Sequence, residues 1–129
     1  MATGNYIQDK GYDASAAITK FRGVKFTAGT EEAVTPVTAA TDQIAGVAQV
    51  SVSAGEITRG KGVSVRRMGA TEWECSAAIA IGVPVAMAAD GRCKTAAAGE
   101  RVVGVCDEPT LNAGERARVT LGGAGFLAP

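Results

Sequence analysis

Two stretches of this chain, residues 23–56 and 82–115, read as copies of one another. Three groups match at a nearly constant offset of 58 or 59 residues: Gly23-Val24 with Gly82-Val83, Ile44–Ala48 with Val102–Cys106, and Ser53–Glu56 with Asn112–Glu115. A fixed offset of this kind indicates one supersecondary unit used more than once. The repeated positions are apolar strand residues and turn glycines, with no reactive side chain among them, so the pattern points away from catalysis.

The chain between and around these matches reads as short strands separated by Gly-containing turns. We therefore predict an all-β domain over residues 21–121, a small barrel or sandwich built from related halves at about 21–69 and 80–121. Two copies are too few for a solenoid. The expected local features are a tight two-residue hairpin at Asp90-Gly91, an edge strand or strand end at Pro36, and Trp73 and Cys75 on one face of a strand, with residues 76–81 as the only candidate for a helical turn.

The two ends of the chain have a different composition. Residues 1–20 are small and polar, and we predict an extended arm rather than a core element. The alternative is a frayed tail, since termini are often disordered unless they dock. Tyr6, Ile7 and Tyr12 supply apolar groups for docking. Residues 122–129 are Gly-rich and are predicted to form a flexible tail.

Charge argues against nucleic acid as a partner. The chain of 129 residues has thirteen basic and thirteen acidic side chains, whereas neutralising phosphates normally requires a basic excess. The single basic cluster comprises Arg59, Lys61, Arg66 and Arg67, and a solvated strand face is its simplest interpretation. No segment reads as a signal peptide or a membrane span, so we expect synthesis in a cytoplasm and no membrane partner.

Catalytic and metal-binding patterns are also missing from the sequence. There is no histidine, and Gly60-Lys61-Gly62 lacks the spacing of a phosphate-binding loop. We predict no enzyme activity, no cofactor and no metal site. Cys75, Cys93 and Cys106 are odd in number and contain no CxxC spacing, which favours structural thiols. A bridge between Cys93 and Cys106, which could lie on adjacent strands, is left open.

The second half carries a family resemblance. Its residues run from Trp73-Glu74-Cys75 through Ile81–Val85, Asp90-Gly91-Arg92 and Val103-Gly104-Val105 to Ala117–Leu121. This order of aromatic strand, glycine-containing strand, hairpin and closing strand resembles the capsid decoration, or cement, proteins of tailed bacteriophages. The start Asn5-Tyr6-Ile7-Gln8 is similar to the polar start of that family, whereas Cys106 stands where the family commonly has alanine.

The resemblance implies a structural virion protein on the outer surface of an icosahedral capsid. It would bridge major-capsid subunits, often as a homo-trimer, and many weak copies on one lattice would stabilise the shell through multivalency. On this reading the capsid contacts lie in the arm, at Asn5, Tyr6, Ile7, Gln8 and Tyr12. A second choice is the basic segment with Arg59, Lys61, Arg66 and Arg67.

One alternative function is a displayed β-domain that binds a host surface or a carbohydrate. It would need an exposed aromatic platform, for which Trp73 is the strongest candidate, although a lone tryptophan in an alternating strand is more often part of the core.

Overall fold

A computed structural model describes residues 8–127, with side chains as far as residue 122. Over this range the chain forms nine strands and one short helix, which confirms the all-β prediction. The elements are β1 (Gln8–Ala14), β2 (Gly23–Phe26), β3 (Ala33–Pro36), β4 (Ile44–Ala48), α1 (Ala54–Thr58), β5 (Val63–Glu74), β6 (Pro84–Met87), β7 (Cys93–Thr95), β8 (Arg101–Glu108) and β9 (Arg116–Leu127). In this part of the chain, no helix is both long enough and apolar enough to cross a membrane.

The first five strands close into a barrel, called barrel 1 below. Its strand order is β1-β3-β2-β4-β5, and β5 returns to pair with β1. The β1–β5 ladder is antiparallel and runs from Gln8 opposite Met68 to Tyr12 opposite Val63, whereas β1 and β3 pair in parallel. Closure leaves no long unpaired edge in this half of the molecule.

The later strands repeat this arrangement and form barrel 2. Residues 69–74 of β5 pair with β9, and the order continues through β8 and β6 to β7. A parallel bridge between Cys75 and Cys93 links β7 back to the end of β5. Strand β5 therefore belongs to both barrels, since its residues 65 and 66 pair with β4 and its later residues pair with β9.

Each barrel has its own buried apolar cluster. The cluster of barrel 1 is aliphatic with one tyrosine and contains Tyr12, Ala14, Ile18, Val24, Val34, Ala45, Ala48, Val52, Val63 and Val65. The larger cluster is centred on Trp73 and contains Cys75, Ile79, Val85, Met87, Cys93, Val103, Cys106, Ala117, Val119 and Leu121 from barrel 2, together with Val37 and Val47 from barrel 1. Those last two residues show where barrel 1 packs against barrel 2.

In the structure, the internal repeat starts earlier in the chain than the sequence matches indicate. The first repeat begins at β1, whose counterpart is the second part of β5. Residues 12–18 read YDASAAI and residues 73–79 read WECSAAI, at an offset of 61 residues. Both segments end in the same antiparallel bridge, Ile18 with Val52 and Ile79 with Thr110.

The arm prediction for residues 1–20 is not confirmed where the structure describes it, because residues 8–20 belong to barrel 1. Tyr12, Ala14 and Ile18 are only 5%, 7% and 4% exposed. Alternate apolar residues facing a closed sheet explain this burial, since successive strand residues point to opposite faces. Residues 1–7 lie outside the described part of the chain.

The Gly-rich tail also differs from the prediction. Strand β9 continues through residues 122–127, and its end pairs with β8, with Val102 opposite Phe126 and Arg101 opposite Leu127. Residues 128 and 129 lie outside the described range. Backbone hydrogen bonds to a neighbouring strand offset the entropy cost of ordering glycine residues.

The hairpin predicted at Asp90-Gly91 is present, but its loop is longer than two residues. The Ala88 N–H donates to the Arg92 carbonyl at 2.8 Å, which leaves three residues in the loop. Gly91 adopts a φ of +85°, as the last position of a three-residue hairpin loop requires.

The short helix forms at residues 54–58 and not at residues 76–81. Its start is a capping box: the Glu56 N–H donates to Ser53 Oγ, and Glu56 Oε1 accepts from the Ser53 N–H. Residues 76–81 instead contain Ile79, whose backbone is committed to the bridge with Thr110.

The Glu56 side chain of this capping box has a lowered pKa. The hydrogen bond from Lys61 and the backbone N–H of Ser53 lower the pKa of Glu56 from 4.5 to about 2. Because the folded-state pKa is depressed, its stabilising contribution is present above about pH 4.5 and is lost as the pH falls toward 2. We expect Lys61→Met to raise this pKa toward 4.5 in a carbon-detected NMR titration. The Glu115 pKa, lowered by backbone N–H groups of Leu111 and Asn112, is the control and should not move.

Candidate binding surfaces

The predicted arm contacts separate into two groups. Asn5, Tyr6 and Ile7 lie outside the described residues. Gln8 is exposed at the start of β1, whereas Tyr12 is 5% exposed and packs edge-on against Phe26, with ring centroids 5.8 Å apart. Tyr12 is therefore a core residue of barrel 1, and its role as a surface anchor is wrong.

A groove opens beside Gln8, where the two barrels meet. Its cavity of about 440 Å³ is lined by Gln8, Phe26, Ile44, Arg67, Met68 and Leu121, among others. Phe26 and Met68 are 46% and 52% exposed. An apolar recess with a few polar groups at its rim is typical of a binding site. No sequence pattern marks this groove, because its walls come from β2, β4, β5 and β9, which are far apart in the sequence.

Two of the four side chains in the predicted basic cluster form ion pairs within the chain. Arg66 forms a bidentate ion pair with Asp9, at 2.8 Å and 3.0 Å, and this hydrogen bonding raises its pKa. Lys61 pairs with Glu56 at 2.8 Å. Arg67 lies over the Phe26 ring at 5.9 Å, and Arg59 is the exposed C-cap of α1. The four side chains therefore do not form one free basic patch.

Trp73 is fully buried and forms part of the packing between the barrels. Its indole N–H donates to the Gly91 carbonyl at 2.7 Å, and the same carbonyl accepts the Gly23 N–H at 2.8 Å. An indole with no exposed face cannot stack on a sugar. The core interpretation is confirmed, and a carbohydrate platform at Trp73 is wrong.

All three cysteines are buried free thiols. Burial raises the pKa of Cys93 and, to a smaller degree, that of Cys106, so neither forms a thiolate readily. The backbone of Cys93 pairs with that of Cys75. Cys93 and Cys106 do not lie on adjacent strands, because β6 lies between β7 and β8. Within residues 8–127, no group of acidic, cysteine or histidine side chains is arranged to hold a metal ion.

Barrel 2 exposes further apolar side chains. Val105 is 46% exposed and lies directly opposite the exposed Pro84, while Ile81 and Leu111 are 66% and 81% exposed. Isolated exposed apolar residues are common on soluble proteins. Pro84 and Val105 are instead neighbours on one sheet face, which is more typical of a contact surface. The equivalent pair in barrel 1 is Gly23 and Val47.

No protein-family model matches the chain, and no curated protein matches it in sequence. Among solved structures, the chain is similar to one described as "The crystal structure of head fiber gp8.5 N base in bacteriophage phi29". The similarity has a TM-score of 0.68 at 14% sequence identity and covers 95% of this chain and 100% of that chain. The fold seen here is therefore also that of a phage head-fibre base, which fits the resemblance to phage capsid proteins seen in the sequence.

Proposed function

We propose that this protein is a structural component of a phage virion that binds the outer surface of the assembled icosahedral capsid. In this proposal it bridges neighbouring major-capsid subunits as a homo-trimer and stabilises the shell. It does so by binding alone, without catalysis, cofactor or nucleic acid.

The observation that carries the proposal is the similarity to the head-fibre base over nearly the whole chain. A fold by itself hosts many functions, so two features of the site add support. The three buried thiols, together with the pairing of Lys61 with Glu56 and of Arg66 with Asp9, favour a binding protein, since none of these groups supplies an activated nucleophile. The exposed apolar groove at the start of β1 offers a surface for a protein partner.

The proposed capsid contact is the segment before β1, with Asn5, Tyr6 and Ile7 as its anchors. Gln8 lines the groove, so this segment joins the folded domain at an apolar surface. The exposed Arg59 stays a second choice for an acidic capsid surface, together with Lys61, Arg66 and Arg67, whose partners are described above.

Deleting residues 2–7 should reduce the occupancy of expanded capsids at least tenfold. The deletion removes the proposed anchors and stops before β1, so the thermal unfolding midpoint should change little. Binding can be measured by co-sedimentation with purified capsids. Unassembled capsid protein should bind wild type weakly, because the multivalent lattice supplies most of the avidity.

The matched control is Arg59→Ala, which alters the second-choice segment and leaves the first intact. If the truncated protein binds capsids as tightly as wild type while Arg59→Ala binds weakly, the arm assignment is wrong. If wild type does not bind capsids at all, the proposed function itself fails.

A further inference from the structure

Barrel 1 contacts barrel 2 through one face of its sheet, called the β2–β4 face here and made of Gly23, Val37 and Val47. Val37 and Val47 are 5% and 0% exposed and belong to a cluster whose other buried members all come from barrel 2. The Gly23 N–H donates to the carbonyl of Gly91 in barrel 2 at 2.8 Å. This face is therefore fully covered within one chain.

The repeat places an equivalent face on barrel 2. Val24 pairs with Gly46 in barrel 1, and Val85 pairs with Gly104 in barrel 2. Gly23 therefore corresponds to Pro84, and Val47 corresponds to Val105. The match of Gly23-Val24 with Gly82-Val83 in the sequence is wrong by two residues, because the strand pairing makes Pro84-Val85 the equivalent pair.

This β6–β8 face of Pro84 and Val105 is uncovered. Val105 is 46% exposed, whereas its counterpart Val47 is 0% exposed. The end of β9 runs beside Arg101 and Val102, and Val105 keeps this exposure with β9 in place. The same face is therefore buried in one repeat and exposed in the other within the described residues.

Barrel 2 contributes Met87 to the contact between the barrels, and barrel 1 has an exposed residue at the equivalent position. Met87 Sδ lies 3.0 Å from the position a Cβ on Gly23 would occupy, and Met87 is 4% exposed. The residue after Met87, Ala88, donates to Arg92 at 2.8 Å across a hairpin loop. The residue after Phe26, Thr27, donates to Ala33 at 2.9 Å across the equivalent loop. Phe26 is therefore the counterpart of Met87.

Phe26 is 46% exposed, so barrel 1 presents a half-exposed aromatic side chain at the position where barrel 2 buries Met87. Large apolar side chains are the usual anchors of protein interfaces. The described residues thus contain one complete contact between the barrels and two exposed surfaces that correspond to its two sides, Phe26 on barrel 1 and the β6–β8 face on barrel 2.

We propose that Phe26 of one copy docks on the β6–β8 face of a second copy, at Pro84 and Val105. The contact repeats between chains the packing that joins the two barrels within a chain. Pro84 has no N–H to donate as Gly23 does, so the contact between copies is apolar. Because the two surfaces differ, association is head-to-tail, which closes into a ring or continues as a filament. A closed ring of three copies would provide the trimer proposed above.

The test is a pair of complementary variants of the full chain, Phe26→Asp and Val105→Asp. Sedimentation equilibrium of each variant alone should show self-association at least tenfold weaker than that of wild type. An equimolar mixture should form two-chain complexes, because Phe26→Asp keeps an intact β6–β8 face and Val105→Asp keeps an intact Phe26. A symmetric interface would not show this rescue. The milder Val105→Thr keeps the β-branched shape and tests the same face if Val105→Asp does not fold.

The control is Leu111→Asp, which charges the most exposed apolar side chain of barrel 2 outside the proposed face and should associate like wild type. The inference is overturned if wild type stays monomeric at all concentrations, if Leu111→Asp weakens association as much as Val105→Asp, or if the mixture associates no better than its components. None of these measurements includes a capsid, so they can fail independently of the proposed function.

Discussion

Replacing Trp73 with alanine should lower the free energy of unfolding by about 4 kcal/mol, as is typical when a fully buried large aromatic side chain is truncated. Trp73 is 0% exposed and is the largest buried side chain of the described residues. The cavity would open where the two barrels meet, because the indole N–H bonds to Gly91 of the loop that also bonds to Gly23. Urea unfolding followed by circular dichroism measures the change.

Two comparisons separate the cavity from the lost hydrogen bond. Trp73→Phe keeps most of the apolar volume and removes the indole donor, so it should cost about half as much or less. The Gly91 carbonyl still accepts from Gly23 in both variants and is not left unpaired. Met68→Ala truncates a side chain that is 52% exposed and should change stability by less than about 0.5 kcal/mol. An equally small change in Trp73→Ala would contradict the described core.

Alanine at Gly46 or Gly104 should destabilise the protein by about 2 to 3 kcal/mol at each site. A Cβ at Gly46 would lie 2.6 Å from Val65 Cγ1 and would also collide with the Arg66 carbonyl. A Cβ at Gly104 would lie 2.5 Å from the Thr120 carbonyl and 2.8 Å from Val119 Cγ1. The obstacle is backbone in both cases, so the strands must separate locally, which is costly in a packed sheet. Differential scanning calorimetry should show similar decreases for the two variants.

The matched control is Gly11→Ala in β1, where an added Cβ meets nothing within 4 Å and φ is not positive. It should be neutral or slightly stabilising, because alanine loses less backbone entropy than glycine. If the losses in unfolding free energy of Gly46→Ala and Gly104→Ala differ by more than about 2 kcal/mol, barrel 1 and barrel 2 are not equivalent at this position.

The equivalence of Gly46 and Gly104 shows how much of the fold could be predicted from sequence. Their matching neighbours gave the internal repeat, and the alternation around each gave the strands. The sequence could not reveal that β5 serves both barrels, because sharing a strand depends on how the chain closes in space. The repeat begins before residue 23, and the identical Ser-Ala-Ala-Ile at residues 15–18 and 76–79 is the sequence signal of this earlier start.

The candidate surfaces were harder to predict. Phe26 and Val105 look like ordinary core residues, since each sits in an apolar alternating strand. Their exposure results from the position of each barrel relative to the other, which local patterns do not record. Tyr12 shows the opposite effect: its small and polar neighbours are typical of an arm, whereas long-range pairing of β1 with β5 buries its ring.

Sharing β5 between the barrels also affects how the molecule would carry mechanical load. Tandem domains joined by a linker can swing about it, whereas here one unbroken strand of twelve residues passes from barrel 1 into barrel 2. A force that separates the barrels must therefore shear the ladders that hold β5 to β1, β4 and β9, and many hydrogen bonds resist together. We therefore expect the two barrels to resist bending relative to each other more strongly than domains joined by a flexible linker.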